Sequence, residues 1–302
     1  SAITVHLDIK RLEQILFKLD TRAEISAFLQ AHPLFAKQFL SLSPHNTPER
    51  MIERLYAMIH NPGMQDLYQE VQRIFGDLTA VEQQLNQAFQ YLQYYYPDFQ
   101  VPQVATFITG MGTDLYVSKD LIVLGLDFFM GKGAKYRPQE LPQYLLRTYQ
   151  PENIVPKTML RLARQFIQTA PKDRTLLADM LYYGKAYYFV KALLPEVDEY
   201  LLLGYTQKQL ADVQRHQRLI WEHFIEQKLL YTTKRLCKNK YIDERPFTAE
   251  IGQSCPGKIG RWLGWAIIKK YMQDHPHVHL SALLKNPNAK SLFIQSKYRP
   301  ER

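Results

Sequence analysis

The chain has 302 residues, with 38 Lys and Arg against 29 Asp and Glu, a formal net charge of +9. Hydrophobic residues at 46% and aromatics at 13% exclude global disorder and allow a large core, in one large domain or two. No uncharged apolar run approaches the length of a membrane span; the best is Leu121 to Leu126, which ends at Asp127.

Ser1-Ala-Ile-Thr-Val reads as the start of a trimmed or a mature chain rather than a secretion signal, and Ile3 to Asp8 alternates as a short strand does. Helical patterns follow over 10–18, 21–30, 33–42, 48–60, 64–75 and 79–96. Thr47-Pro48-Glu49 is a start signal, with an N-cap, proline at the first helical position and a carboxylate in the first turn. Asn61-Pro62-Gly63 is a break. Leu85, Phe89, Leu92 and Tyr96 form a core stripe, and Tyr94-Tyr95-Tyr96 before Pro97 reads as helix-end packing or as an aromatic binding shelf.

The pattern changes near residue 97. Residues 103–109 are β-branched and aromatic, Gly110-Met-Gly-Thr-Asp is a turn, and 121–126 is a second strand, so a small antiparallel sheet is expected. Gly110-x-Gly112 and Gly131-Lys-Gly133 complete no phosphate-loop pattern. Asp127, directly after a strand, is a turn carboxylate or a site carboxylate. Helices are expected again over 139–149, 154–169, 174–194, 207–230, 258–273, 280–285 and 289–294. Short sheet followed by long core-grade helices means an α+β, predominantly helical fold. The expected organisation is a helical N-terminal part, 1–100, and an α+β part, 101–302, packed as one unit.

The helix with the strongest core character is Asp179-Met-Leu-Tyr-Tyr-Gly-Lys-Ala, running on to Pro195, with Met180, Tyr183, Tyr187, Val190 and Leu194 at helical spacing. Pro195 stops it, and Thr206 after Leu203-Gly204-Tyr205 is an N-cap for the next helix. Charge is uneven. Residues 1–100 hold 8 basic and 11 acidic side chains and the rest 30 and 18, for nets of −3 and +12. A basic second part suits nucleic acid, an anionic membrane or an acidic protein. No zinc-finger, RNP or helix-turn-helix signature supports nucleic acid. Cys237 and Cys255 form no CxxC pair, which excludes a zinc knuckle and leaves either one disulfide or two free thiols.

Asp179-Met-Leu-Tyr-Tyr-Gly-Lys-Ala, Leu193-Leu-Pro195, Gly204-Tyr-Thr206, Pro246-Phe-Thr248, Ser254-Cys-Pro-Gly-Lys-Ile-Gly-Arg-Trp-Leu-Gly-Trp265 and Ser296-Lys-Tyr-Arg-Pro300 together resemble the gliding-motility lipoprotein B (GldB) family of the Bacteroidetes. The resemblance implies a lipoprotein of the cell envelope facing the periplasm, anchored by a lipidated Cys upstream of Ser1. It also implies a role in gliding motility or an associated secretion apparatus, with envelope proteins as partners. The order of sheet, helix, helix with Tyr183-Gly-Lys-Ala186, then Gly260-Arg-Trp-Leu-Gly264 is similar to predicted zincin-type metallopeptidases. Zincin chemistry needs two His one turn apart, a Glu base and a third ligand from the next helix. Residues 157–166 hold no His, and Tyr183 stands at the third-ligand position, so the resemblance implies a degenerate zincin-like core without HExxH.

The expected function is therefore non-enzymatic partner binding, with no cofactor and no catalytic residues. The candidate cleft is Arg161, Arg164, Gln165, Tyr183, Lys185, Tyr205, Arg261, Trp262 and Trp265. Arg161, Arg164 and Gln165 face away from the apolar side of their helix, and Trp262 and Trp265 sit three apart as a groove lining or a core pair. The rival is a zinc metallopeptidase-like hydrolase in which His275, His277 and His279, on alternate positions, or His223 beside Glu226, hold a metal. No GxSxG and no Cys/His nucleophile spacing occurs.

Overall fold

Gln103–Phe107 and Leu121–Gly125 are rich in β-branched and apolar residues, and in the computed structural model, which describes residues 7–41, 43 and 45–300, they are the inner strands of a four-stranded sheet. The strands are β1 (Ile9–Arg11), β2 (Gln103–Phe107), β3 (Leu115–Val117) and β4 (Leu121–Gly125), in the order β1-β2-β4-β3. β1 with β2 and β2 with β4 are parallel; β3 with β4 is antiparallel. The sheet is thus mixed, and the antiparallel expectation holds only at its β3 edge. The physical reason is that the turn after β2 leads into β3, not back along β2. β3 then hairpins into β4 through Ser118, whose N–H donates to the Leu121 carbonyl at 2.8 Å. β4 is buried at every position, as strands covered on both faces are. Of the strand expected over 3–8, Leu7 and Asp8 precede β1, and residues 3–6 lie outside the described residues.

The chain divides into two compact units, Ser1–Gln93 with Asp98–Thr158, and Tyr94–Pro97 with Met159–Arg302. The boundary expected near residue 100 is not where they divide: the sheet belongs with the N-terminal helices, because β1 contributes the strand beside β2.

The helices up to residue 163 are α1 (Leu12–Leu16), α2 (Arg22–Ala31), α3 (Pro48–Ile59), α4 (Pro62–Phe75), α5 (Thr79–Tyr95), α6 (Gln143–Leu146) and α7 (Ile154–Ala163), with a π-helical turn at Phe35–Phe39. Local signals start several of them. Thr21 and Glu24 form a reciprocal capping box on α2, Thr47 caps α3, and Asn61 caps α4 with Pro62 in its first turn. The stripe Leu85, Phe89 and Leu92 of α5 is fully buried, as its spacing predicts. α6 and α7 are shorter than the expected 139–149 and 154–169. α7 ends at Ala163, and residues 164–166 are a turn.

The second unit is built on two helices of the set α8 (Leu176–Leu193), α9 (Glu199–Leu203), α10 (Gln207–Arg215), α11 (Gln217–Glu226), α12 (Arg235–Ile242), α13 (Ile259–Asp274), α14 (Leu280–Lys285) and α15 (Ala289–Ser296). α8 is buried around its circumference, the mark of a central helix. It crosses α13 where two glycines meet. A methyl on Gly184 would stand 2.3 Å from the Gly264 carbonyl oxygen, and one on Gly264 would stand 1.9 Å from that of Met180. Only residues without a side chain permit so close an approach. The helix expected over 207–230 is two helices, α10 and α11, meeting at His216. Thr206 starts α10 with a capping box to Gln209.

Candidate functional site

Asp179, Tyr183 and Tyr187 are spaced one turn apart on α8 and therefore share one face. The Arg261 guanidinium of α13 lies 4.1 Å over the ring of Tyr183, a cation–π contact, and its Nε donates to the Ile242 carbonyl at 2.6 Å. Lys258, at a positive φ just before α13, donates from Nζ to the Leu203 carbonyl at 3.1 Å and pairs with Glu244 at 3.0 Å. Arg261 reaches the same Glu244 oxygen at 3.7 Å. Tyr205 closes the cluster, its buried hydroxyl donating to the Gly257 carbonyl at 3.0 Å. One turn back along the face, Lys238 pairs with Asp179 at 2.6 Å.

The electrostatics follow from this geometry. Burial pushes the Tyr187 phenol up to about 12 and the Tyr205 phenol well above its ordinary value, so both stay neutral. Burial works against charge on Arg261, but Tyr187, Tyr183 and Glu244 outweigh it and its pKa is raised. Two buried or half-buried cations thus converge on one half-exposed carboxylate, a cluster with fixed charge and neutral phenols.

Tyr183, Tyr205 and Arg261 of the expected site come together here; the others do not. Trp262 and Trp265 are buried, and Trp265 packs against Tyr187 and Tyr188 with centroids 6.4 and 6.2 Å apart, so the pair is core and not a groove wall. Lys185 is buried too. Its ammonium donates to the carbonyls of Gln168, at 3.3 Å, and Asn286, and burial lowers its pKa to about 8. It lines a separate pocket of about 240 Å³ with Tyr182 and Asp173. Arg164 and Gln165 are exposed in the turn after α7, where Arg164 reaches the Tyr182 phenol, and Arg161 is half-buried. The nine residues therefore form no continuous cleft. Lys258 and Glu244 were missed by sequence reasoning; the signal was the charge run Asp243-Glu244-Arg245 ahead of the turn into α13.

Of the rival metal ligands, His275 and His277 meet edge to face with ring centroids 6.0 Å apart, without a third ligand beside them among the described residues. Among the described residues no group of three or more His, Cys, Asp and Glu could hold a metal ion. His275 bonds through Nδ1 with the Tyr271 carbonyl at 2.8 Å and stacks on that ring, while His279 is the residue before α14. His223 bonds the Tyr241 hydroxyl at 2.9 Å, and Glu226 beside it is exposed. Cys237 and Cys255 are both free thiols, and burial raises Cys255 to about 12, an inert value. Asp127 does turn duty: its carboxylate accepts from the Thr109 N–H at 3.0 Å and the Met111 N–H at 2.5 Å, pinning the 109–113 loop.

Between α11 and α12 the second unit turns a short edge outward. Leu229 and Leu230 are buried, and the carbonyls of Leu230 and Thr232 accept from Leu177 and Leu176 at the start of α8, both at 2.9 Å. Around these anchors Ile225, Tyr231 and Leu236 are 47%, 53% and 83% exposed. Lys228, Lys234 and Arg235 lie between them, exposed and without an ion pair among the described residues.

A comparison with protein families matches residues 1–300 to the family described as gliding motility protein GldB. The chain belongs to the GldB family. It is thereby a gliding-motility-associated protein. Searches of the curated proteins and of the solved structures each found no match. No helix among the described residues is long and apolar enough to cross a membrane.

Several of the motifs that resemble GldB have mechanical roles in this member of the family. Gly184 and Gly264 make the α8–α13 crossing. Thr248 donates from N and Oγ1 to the carbonyls of Cys255 and Pro256 at 2.8 and 2.7 Å, closing the segment that delivers Lys258 and Arg261. The motifs thus specify how α13 is seated on α8.

Proposed function

We propose that the chain is a non-catalytic, envelope-attached component of a gliding-motility or associated secretion apparatus, and that it captures an acidic protein partner on the exposed edge 225–236. The observation that carries this reading is the exposure of Tyr231 and Leu236 among Lys228, Lys234 and Arg235. Apolar and aromatic anchors beside Arg are what interface centres use, and unpaired cations steer an acidic partner. Backbone bonds to α8 hold the edge in place, so binding costs little ordering entropy. Attachment to the envelope is supported by the lipoprotein family and would come from a lipid anchor upstream of Ser1.

The non-catalytic part rests on charge. In a zincin-like scaffold the third metal ligand falls at Tyr183, and here a guanidinium covers that ring with Lys258 close to Arg261 through Glu244. Two cations beside a divalent ion repel it. Zinc at about one equivalent per chain in protein purified without chelator, lost with His→Ala changes, would restore the metallopeptidase reading.

Two double variants test the edge, Tyr231→Asp with Leu236→Asp and Lys234→Glu with Arg235→Glu. Both replace exposed side chains, so stability should stay within about 0.5 kcal/mol. In a gliding host relying on this protein, each should abolish colony spreading and in-cell crosslinks from the edge to apparatus proteins, at unchanged abundance. Spreading and crosslinking that survive both would remove the edge. Charge reversal of Arg161 and Arg164 asks the same of the α7 turn.

A further inference from the structure

The first unit carries a pocket that the motility reading does not use. It lies where β4 ends, beyond the carboxyl end of a parallel strand, the place where sheets of this kind leave room for ligands. Its volume is about 220 Å³. That equals roughly seven waters at about 30 Å³ each, enough for a molecule of about ten heavy atoms.

Its lining is basic. Lys132, Arg137 and Arg147 all contribute, and the one lining carboxylate is Asp127. Asp127 is hydrogen-bonded to the N–H groups of Thr109 and Met111 rather than to Lys132 or Arg137. Lys132 and Arg137 are exposed and have no ion pair among the described residues. Part of the lining is aromatic: Phe128 and Tyr149 pack with centroids 5.1 Å apart, the Lys157 ammonium lies 4.3 Å from the Tyr149 ring centroid, and the Tyr149 hydroxyl donates to Asp114 at 3.0 Å. The rim is closely packed at Gly131. Gly131 has φ +85°, and a methyl there would stand 2.6 Å from the Gln150 Oε1 that accepts from the Lys132 N–H at 3.1 Å.

We infer that this pocket binds the oxyanion group, carboxylate or phosphate, of a small molecule with a flat apolar body. Lys132 and Arg137 supply charge-assisted donors and the Phe128–Tyr149 wall takes the body. This site is independent of the edge in the second unit.

The test is titration calorimetry of the full chain in low-salt, phosphate-free buffer with benzoate and phenyl phosphate, and with phenol as the uncharged control. At least one of the anions should bind, phenol at least about tenfold more weakly, and added salt should reduce the affinity. The Lys132→Gln/Arg137→Gln variant, whose melting temperature serves as the folding control, should lose at least about tenfold in affinity. Binding of only one anion upholds the site and names its group. Binding of neither, equal binding of phenol, or undiminished binding by the double variant overturns the proposal.

Discussion

The two units reach a packed state by different means. In the first, short elements are fixed by their own ends, through the Thr21–Glu24 box, the Thr47 and Asn61 caps and a sheet whose inner strand β4 is wholly buried. In the second, one contact between distant residues, Gly184 against Gly264, decides how close two long helices approach and therefore where Arg261 meets Tyr183. Distributed local signals tolerate single losses; a single long-range contact does not. All three tryptophans, Trp221, Trp262 and Trp265, lie in the second unit, so their fluorescence reports on it alone.

The largest effect is expected at that contact. Gly264→Ala places a methyl against the Met180 carbonyl and should cost more than about 3 kcal/mol, beyond the usual range for overpacking. Denaturant unfolding followed by tryptophan fluorescence should shift strongly, while the circular dichroism retains a later transition from the first unit. Coincident transitions would mean that the units unfold as one and would break the comparison.

Next comes Asp127, whose carboxyl burial raises to about 6 against an ordinary 3.8. Well below pH 3.8 it is protonated in both states, and from there up to about 6 the folded state holds the proton more tightly. Stability from this group is therefore present in acid and lost as pH rises through 6, by about 2–3 kcal/mol at about 1.4 kcal/mol per unit. Melting of wild type and Asp127→Asn from pH 4 to 7 should show a smaller decline in the variant. Parallel curves would remove Asp127 as the titrating group.

The smallest effects sharpen the contrast. Thr21→Ala in the first unit and Thr206→Ala in the second each remove an N-cap and should cost about 1 kcal/mol. Only the second should move the tryptophan transition. A loss several times larger at Thr206 would mean that caps in the second unit are coupled to the α8–α13 crossing.

What was legible in the sequence was local. The cap at Thr206, the stop at Pro195, the start at Thr47, the bounds of Leu280–Lys285 and the central character of α8 each depend on residues within a turn or two of one another. The motifs from Asp179 to Pro300 also led to the right family. α12 escaped notice because Arg235–Ile242 is short and polar, with little apolar period to read. The candidate site was legible only in part: α8 put Tyr183 on a face with Asp179 and Tyr187, but nothing local revealed that Glu244 would gather Lys258 and Arg261.

By itself the sequence determined a helix-dominated α+β chain, its family and most helix starts, because side-chain period, caps and breakers act over a few residues. Tertiary structure decided that β2 and β4 run parallel, that the sheet joins the N-terminal helices, that Trp262, Trp265 and Lys185 are interior, and that Tyr231 and Leu236 are not. Each of those outcomes depends on which distant surface a segment meets, and that is fixed by the free energy of packing the whole unit rather than by any window of residues.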